Sequence, residues 1–150
     1  MPIRTANARW QGDLTEGSGT VSTGKGGYQG NYSFKSRFEE GEGTNPEELI
    51  AAAHAGCFTM AIGSILAGQG TPPERLNVTA TVTLEVSGQP TIASSELDVH
   101  GVVPGTDAAS FDRAAREAEI NCPVSRALQG NVEIRVRATL DEPSASLAAH

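Results

Sequence analysis

The chain has 150 residues, a formal net charge of -7, 19% charged residues and 38% hydrophobic residues. A chain of that length can bury a core as one domain, and the balance excludes both a coiled coil and a disordered polymer. The acidic excess argues against nucleic acid and against an anionic membrane, because both partners require a basic face.

Met1-Pro2-Ile3-Arg4-Thr5 opens the chain without a basic stretch followed by an apolar run, so no signal peptide is read there. No uninterrupted run approaches the roughly 18 apolar residues of a membrane span, and the expected location is the cytoplasm. Aromatic residues are 5% and glycines number 17, so Val, Ile, Leu and Ala must build the core. Such small cores lean on a partner chain.

Residues 1–36 read as two or three strands joined by turns. Ala6-Asn7-Ala8-Arg9-Trp10 alternates, Gly17-Ser18-Gly19 and Gly24-Lys25-Gly26-Gly27 punctuate, and Tyr28 to Phe34 gives a further short strand. Residues 37–45 read as a loop. A helix then begins, with Asn45 as N-cap, Pro46 at its first position and Glu48 placed to complete a capping box. It runs to Leu66, with Gly68 past its end. Leu49, Ile50, Phe58, Met60, Ile62, Ile65, Leu66 and many alanines surround it on all sides, the pattern of a buried central helix. So short a chain can scarcely wrap that helix alone, which points to a second copy.

Val78, Ala80, Val82, Leu84 and Val86 alternate with polar residues, which predicts a half-buried strand over 78–86. Gly88-Gln89-Pro90 turns the chain. Ile92 to Val103 gives a second strand with Leu97 and Val99 facing the core. Residues 107–120 form an amphipathic helix with Phe111, Ala114, Ala115 and Ala118 on its apolar side. Asn121-Cys122-Pro123 interrupts it, a short helix over Val124 to Leu128 follows, and Val132, Ile134, Val136 and Ala138 mark a last strand. The tail after Asp141 is small and polar and is expected to fray. Strands, helix, strands, helix, strand is the order of an α+β fold, read as one domain over residues 1–150.

Two cysteines in a cytoplasmic chain favour redox, catalytic or metal chemistry over a structural disulfide. Cys57 lies mid-helix, where the dipole helps a thiolate little, so a cation would have to stabilise it. The adjacent Gly56 costs a helix roughly 1 kcal/mol relative to Ala, and suggests close approach by a backbone or a substrate. Cys122 lies at the start of the short helix, where the dipole lowers a thiol pKa, and physics alone nominates it as the more reactive of the two. Arg37 by itself reads as a solvated charge, and Glu47 as an acid suited to the first turn of its helix. Ten residues of helix separate Glu47 from Cys57, about 15 Å of rise, so the two side chains cannot meet along one straight helix. His54, Cys57, His100 and Cys122 together would make a zinc-binding Cys2His2 set, though no tight Cys-x2-Cys pair supports it. A Cys-His hydrolase is weaker still, since no carboxylate is placed to orient His54.

Gly43-Thr44-Asn45-Pro46-Glu47-Glu48-Leu49, Ala51-Ala52-Ala53-His54-Ala55-Gly56-Cys57-Phe58 and Asn121-Cys122-Pro123-Val124-Ser125-Arg126-Ala127-Leu128 together resemble the OsmC/Ohr family of thiol peroxidases, and its OsmC branch in particular. The resemblance implies an α+β, OsmC-like fold with antiparallel sheets around a long buried central helix, in an intertwined homodimer. It implies reduction of organic hydroperoxides, and of hydrogen peroxide, without metal or bound cofactor. Cys57 matches the peroxidatic cysteine, Cys122 the resolving cysteine, Arg37 the catalytic arginine and Glu47 the carboxylate that holds it. That assignment reverses the dipole-based nomination of Cys122. A lipoyl-type dithiol is the implied reductant. Arg37 and Glu47 would reach Cys57 either through the length of the arginine or across the dimer, the 15 Å separation favouring the partner subunit, and Phe38, Phe58 and Met60 are candidate apolar walls. The rival readings are a zinc-binding protein and a non-catalytic stress-response module with the same fold.

Overall fold

The structure, a computed structural model, describes residues 1–143. The expected fraying of the tail concerns residues that lie, beyond 143, outside the described residues. The chain divides into two compact units, Met1–Leu49 and Ile50–His150.

The first unit is an antiparallel meander of β1 (Ala6–Gln11), β2 (Ser18–Thr23) and β3 (Gln29–Tyr32), in that order across the sheet. Gly19 on β2 faces Trp10 on one side and Tyr32 on the other. These two rings pack edge to face at 5.3 Å. A Cβ at Gly19 would come within 2.7 Å of both, so only glycine lets the rings close over the sheet.

β3 stops at Tyr32 instead of continuing to Phe34, and α1 (Phe34–Phe38) replaces the expected strand end and loop. Ser33 caps it. Its Oγ accepts from the Ser36 N–H at 3.1 Å, and the Ser36 Oγ accepts from the Ser33 N–H at 2.9 Å. A reciprocal cap made by two serines lacks the Glu or Gln that marks a capping box in sequence, which is why the helix is not legible there. Ser36 also donates to the Thr44 carbonyl at 2.7 Å, tying α1 to the segment that enters the next helix.

That helix, α2 (Pro46–Gly68), starts as expected, with the Asn45 side chain accepting from the Glu48 N–H at 2.8 Å. The Glu48 carboxylate accepts from the Thr44 hydroxyl at 2.9 Å, so the second half of the box is made with Thr44.

The second unit holds the rest of α2, then β4 (Arg75–Glu85), β5 (Thr91–Val102), α3 (Ala108–Asn121), α4 (Pro123–Leu128) and β6 (Glu133–Leu140). The sheet order is β4-β5-β6. β4 and β5 are antiparallel, but β6 runs parallel to β5, so the expectation of antiparallel sheets is corrected here. Two helices separate β5 from β6 and carry the chain back to the end where β5 began, the crossover that parallel neighbours require. Val86, expected to face inward, lies past the end of β4 and is exposed.

The core joins Phe58, Ile62 and Leu66 of α2, Leu97 and Val99 of β5, and Phe111, Ala114, Ala115 and Ala118 of α3. The α3 face matches its amphipathic pattern residue for residue. On α2, burial follows one stripe at four-residue spacing, His54, Phe58, Ile62 and Leu66. Ala52, Ala53, Gly56 and Met60 are exposed, Met60 by 78%. One chain therefore buries only part of this all-round apolar helix. α2 is also long and apolar enough to cross a membrane by length and composition, with a mean hydropathy of 1.8 over its best window. A count of uninterrupted apolar runs misses this, because His54, Thr59 and Ser64 break the run without lowering the mean far.

Candidate active site

Two pairs of side chains stand out. The first is Arg37 with Glu47. α1 places Arg37 one turn past its cap, and the first turn of α2 places Glu47. Arg37 Nε donates to Glu47 Oε1 at 3.0 Å and Nη2 to Oε2 at 2.9 Å. This is a planar two-bond fork, which fixes the orientation of the guanidinium as a single bond would not. Glu47 is 6% exposed, while the Arg37 side chain keeps 35% of its surface open. The hydrogen bond to Glu47 raises the Arg37 pKa further, so the cation is permanent. Beside it lies a groove of about 300 Å³ lined by Trp10, Leu14, Tyr32, Phe34 and Phe38 together with Arg37 itself. The guanidinium carbon lies 5.3 Å from the centre of the Phe38 ring. Phe38 is thus an apolar wall next to a cation. Phe58 belongs to the core and Met60 to the exposed face of α2, so neither lines this groove.

The second pair is Cys57 with Cys122. Both thiols are free, Cys57 half-buried and Cys122 buried. Cys122 ends α3, its N–H donating to the Ala118 carbonyl at 2.8 Å, and is also the N-cap of α4. Its ψ of 120° is the extended value that the following Pro123 enforces. Asn121 is the last residue of α3, so it does not cap α4. Cys57 packs against the cluster that holds Cys122, and both the Cys122 thiol and the Val124 backbone N–H lie close enough to shift its pKa. Burial pushes the Cys57 thiol pKa up, the Val124 N–H pulls it down, and the neighbouring Cys122 pushes it up again. Gly56 has no atom within 4 Å of the place a Cβ would take, so the close approach expected there does not occur within this chain.

The sequence marks His54 only as a metal candidate, and the structure gives it another place. It is fully buried, with Nδ1 at 2.6 Å from the Ser95 hydroxyl and Nε2 at 2.7 Å from the Ser125 hydroxyl. Both nitrogens are occupied. His100 sits elsewhere, half-buried between Asp98 and Asp141 at 3.6 and 3.4 Å. Among the described residues no cluster of three or more His, Cys, Asp or Glu could hold a metal ion. No signal in the sequence ties His54 to the two serines, which lie 41 and 71 residues away.

Burial lowers the His54 pKa below its ordinary 6.5. A depressed folded-state pKa makes its contribution to stability complete above the unfolded value and progressively lost as pH falls through and below 6.5. The thermal midpoint should therefore decline from about pH 7 to about pH 5, and His54→Gln should flatten that decline. Melts of the two proteins across the range check this, and parallel declines would contradict it.

Comparison with known proteins shows the family and the fold. A family model described as OsmC-like protein matches residues 39–137. Peroxiredoxin OsmC of Escherichia coli (strain K12) is 42% identical over 133 residues, spanning 87% of this chain and 93% of that protein. Organic hydroperoxide resistance protein-like 1 of Staphylococcus epidermidis is 30% identical over 104 residues, 69% of this chain and 74% of that protein. The crystal structure of an organic hydroperoxide resistance protein OsmC from Legionella pneumophila matches with a TM-score of 0.71 at 26% identity, over 93% of this chain and 99% of that one.

Proposed function

This chain belongs to the OsmC-like protein family, and on that footing we propose that it is a two-cysteine thiol peroxidase acting on organic hydroperoxides and on hydrogen peroxide. The observation that carries the reading is the pair of free thiols, Cys57 of α2 and Cys122 between α3 and α4, packed into one cluster. A thiol pair in contact, one half-buried and one buried, is arranged to be oxidised in sequence.

Cys57 is the peroxidatic residue. Its thiolate attacks the terminal oxygen of the hydroperoxide, the O–O bond breaks, the alkoxide leaves and takes a proton from solvent as the alcohol, and Cys57 becomes a sulfenic acid. Cys122 is the resolving residue. It displaces the sulfenic oxygen as water and forms the Cys57–Cys122 disulfide. A lipoyl-type dithiol reopens that disulfide by exchange, leaving both cysteines as thiols. No metal and no bound cofactor enters these steps. Two free thiols, rather than a disulfide, are what a reducing cytoplasm maintains between turnovers, and that is the location we propose.

Arg37 supplies the cation that Cys57 needs. Within the chain, burial and Cys122 both raise the Cys57 pKa. The guanidinium, its plane set by Glu47, would stabilise the thiolate and polarise the O–O bond. Ten residues of helix between Glu47 and Cys57 amount to about 15 Å, which supports an arrangement in which Arg37 and Glu47 act on the Cys57 of a partner subunit rather than through the length of Arg37 within one chain. The exposed apolar face of α2 around Met60 is the surface that such a homodimer would cover. Sedimentation should give a dimer for the wild type and a monomer for Met60→Arg. A monomeric wild type would remove this arrangement. The groove beside Arg37 would seat the alkyl group of the substrate.

The roles of the two cysteines are tested with Cys122→Ser and excess hydroperoxide. One equivalent of alcohol should form per chain, after which turnover stalls and Cys57 accumulates as sulfenic or sulfinic acid. Loss of that first turnover would reverse the assignment.

A further inference from the structure

We propose that the hydrogen-bonded series Ser95–His54–Ser125 is a positioning device that holds Cys122 in line with Cys57 for the disulfide-forming step. The inference rests on the peroxidase reading above and concerns residues that reading does not use.

α4 has six residues, too few for a helix to persist without support. Pro123, Arg126 and Ala127 are exposed, so the helix is docked through Cys122, Val124, Ser125 and Leu128. The Ser125 hydroxyl, buried to 1%, ties it to α2 through His54 Nε2 at 2.7 Å. On the other side of the ring the Ser95 hydroxyl of β5 holds Nδ1 at 2.6 Å, so the imidazole is pinned at both nitrogens.

The placement of this tie matters more than its existence. His54 lies one turn before Cys57 on α2, and Ser125 lies three residues after Cys122. The His54–Ser125 bond therefore links the same two helices that the disulfide must link, about one turn away from it. Val124, whose N–H lies near enough to Cys57 to lower its pKa, sits between Cys122 and Ser125 in the same turn. Thiol, backbone N–H and tie form one short rigid piece.

In the step concerned, the Cys122 sulfur attacks the sulfur of the Cys57 sulfenic acid. The S–S bond forms, the S–O bond breaks, and the departing hydroxide takes the Cys122 proton as water. The product needs an S–S length near 2.05 Å and a dihedral near 90°, a narrow target for a helix of six residues. A misplacement of about 1 Å can cost about 100-fold in rate. While the step waits, a second hydroperoxide can oxidise the sulfenic acid to sulfinic acid, so the ratio of disulfide to sulfinic product reports how well Cys122 is held.

The test compares Ser125→Ala with Ser95→Ala, each of which removes one of the two bonds to His54, although only the first cuts the tie to α4. Each protein is mixed with excess cumene hydroperoxide, quenched over time, and read by intact mass. The disulfide lowers the mass by about 2 Da and the sulfinic acid raises it by about 32 Da. Ser125→Ala should consume the first equivalent of hydroperoxide at the wild-type rate, with a disulfide-to-sulfinic ratio about tenfold lower. Ser125→Thr, which keeps the hydroxyl, should restore the ratio, and Ser95→Ala, which loosens the ring but leaves the tie to α4, should lower it by clearly less than Ser125→Ala. A wild-type ratio in Ser125→Ala, or equal shifts in the two alanine variants, would overturn the positioning role. If Ser125→Ala does not fold, His54→Asn is measured in the same way, a lowered ratio supporting the role and a wild-type ratio overturning it. A wild-type protein that keeps both thiols would instead overturn the peroxidase reading, and this inference with it.

Discussion

Cys57→Ser should abolish hydroperoxide reduction, lowering kcat/KM by at least about 10⁴-fold. The reaction needs a polarisable nucleophile that ionises near neutral pH and can carry an oxygen atom afterwards. A thiolate does both. A serine hydroxyl is almost wholly protonated at neutral pH and forms no stable counterpart of a sulfenic acid. The substitution exchanges sulfur for a smaller oxygen at a half-buried position, and the far side of α2 there is open. The fold should survive, so circular dichroism and the thermal midpoint should stay close to wild type while activity disappears. A Cys57→Ser protein that still turned over hydroperoxide would shift the chemistry to Cys122.

Arg37→Ala should give the next largest effect, slowing sulfenic acid formation by about 10²- to 10³-fold. The reason is electrostatic. Cys57 in its own chain has its pKa raised, first by burial, and only the Val124 N–H offsets this. Without a cation the thiolate fraction at neutral pH falls, and the developing charge on the leaving oxygen loses its partner. Arg37→Lys should recover little of the loss, because an ammonium cannot make both bonds to Glu47 at 2.9 and 3.0 Å and also point at the sulfur. Arg126→Ala is the control, a basic residue of the exposed face of α4. Stopped-flow measurement of the first step, with the pH dependence of its rate, separates the effects: the apparent Cys57 pKa should rise in Arg37→Ala and stay put in Arg126→Ala. Equal losses in the two variants would remove Arg37 from the site.

The elements most legible in the sequence are those whose burial has one clear side. α3 carries Phe111, Ala114, Ala115 and Ala118 on a single stripe, and these are the residues it buries. α2 shows its length and its Asn45 start, but apolar residues all round it cannot say which stripe its own chain covers. Alternation in β6 marks a strand without its direction, because parallel and antiparallel neighbours impose the same two-residue period. α1 is hidden by a cap made of two serines.

The candidate site divides in the same way. Cys57 and Cys122 are visible as the chain's two cysteines, yet the helix dipole favours Cys122 as the nucleophile, whereas the resemblance of the flanking motifs implies Cys57, which is the role we propose for it. Arg37 and Glu47, taken singly, read as ordinary solvated and helix-start charges. Only their fork makes them a unit. The serines that hold His54 lie too far along the chain for any local pattern to join them to it.

The most direct measurement is a titration of free thiols in the reduced protein before and after one equivalent of cumene hydroperoxide, with the intact mass recorded alongside. Both thiols should disappear together and each chain should lose about 2 Da, the mark of a Cys57–Cys122 disulfide. Two thiols persisting for minutes at unchanged mass would mean that this chain carries the fold without the chemistry.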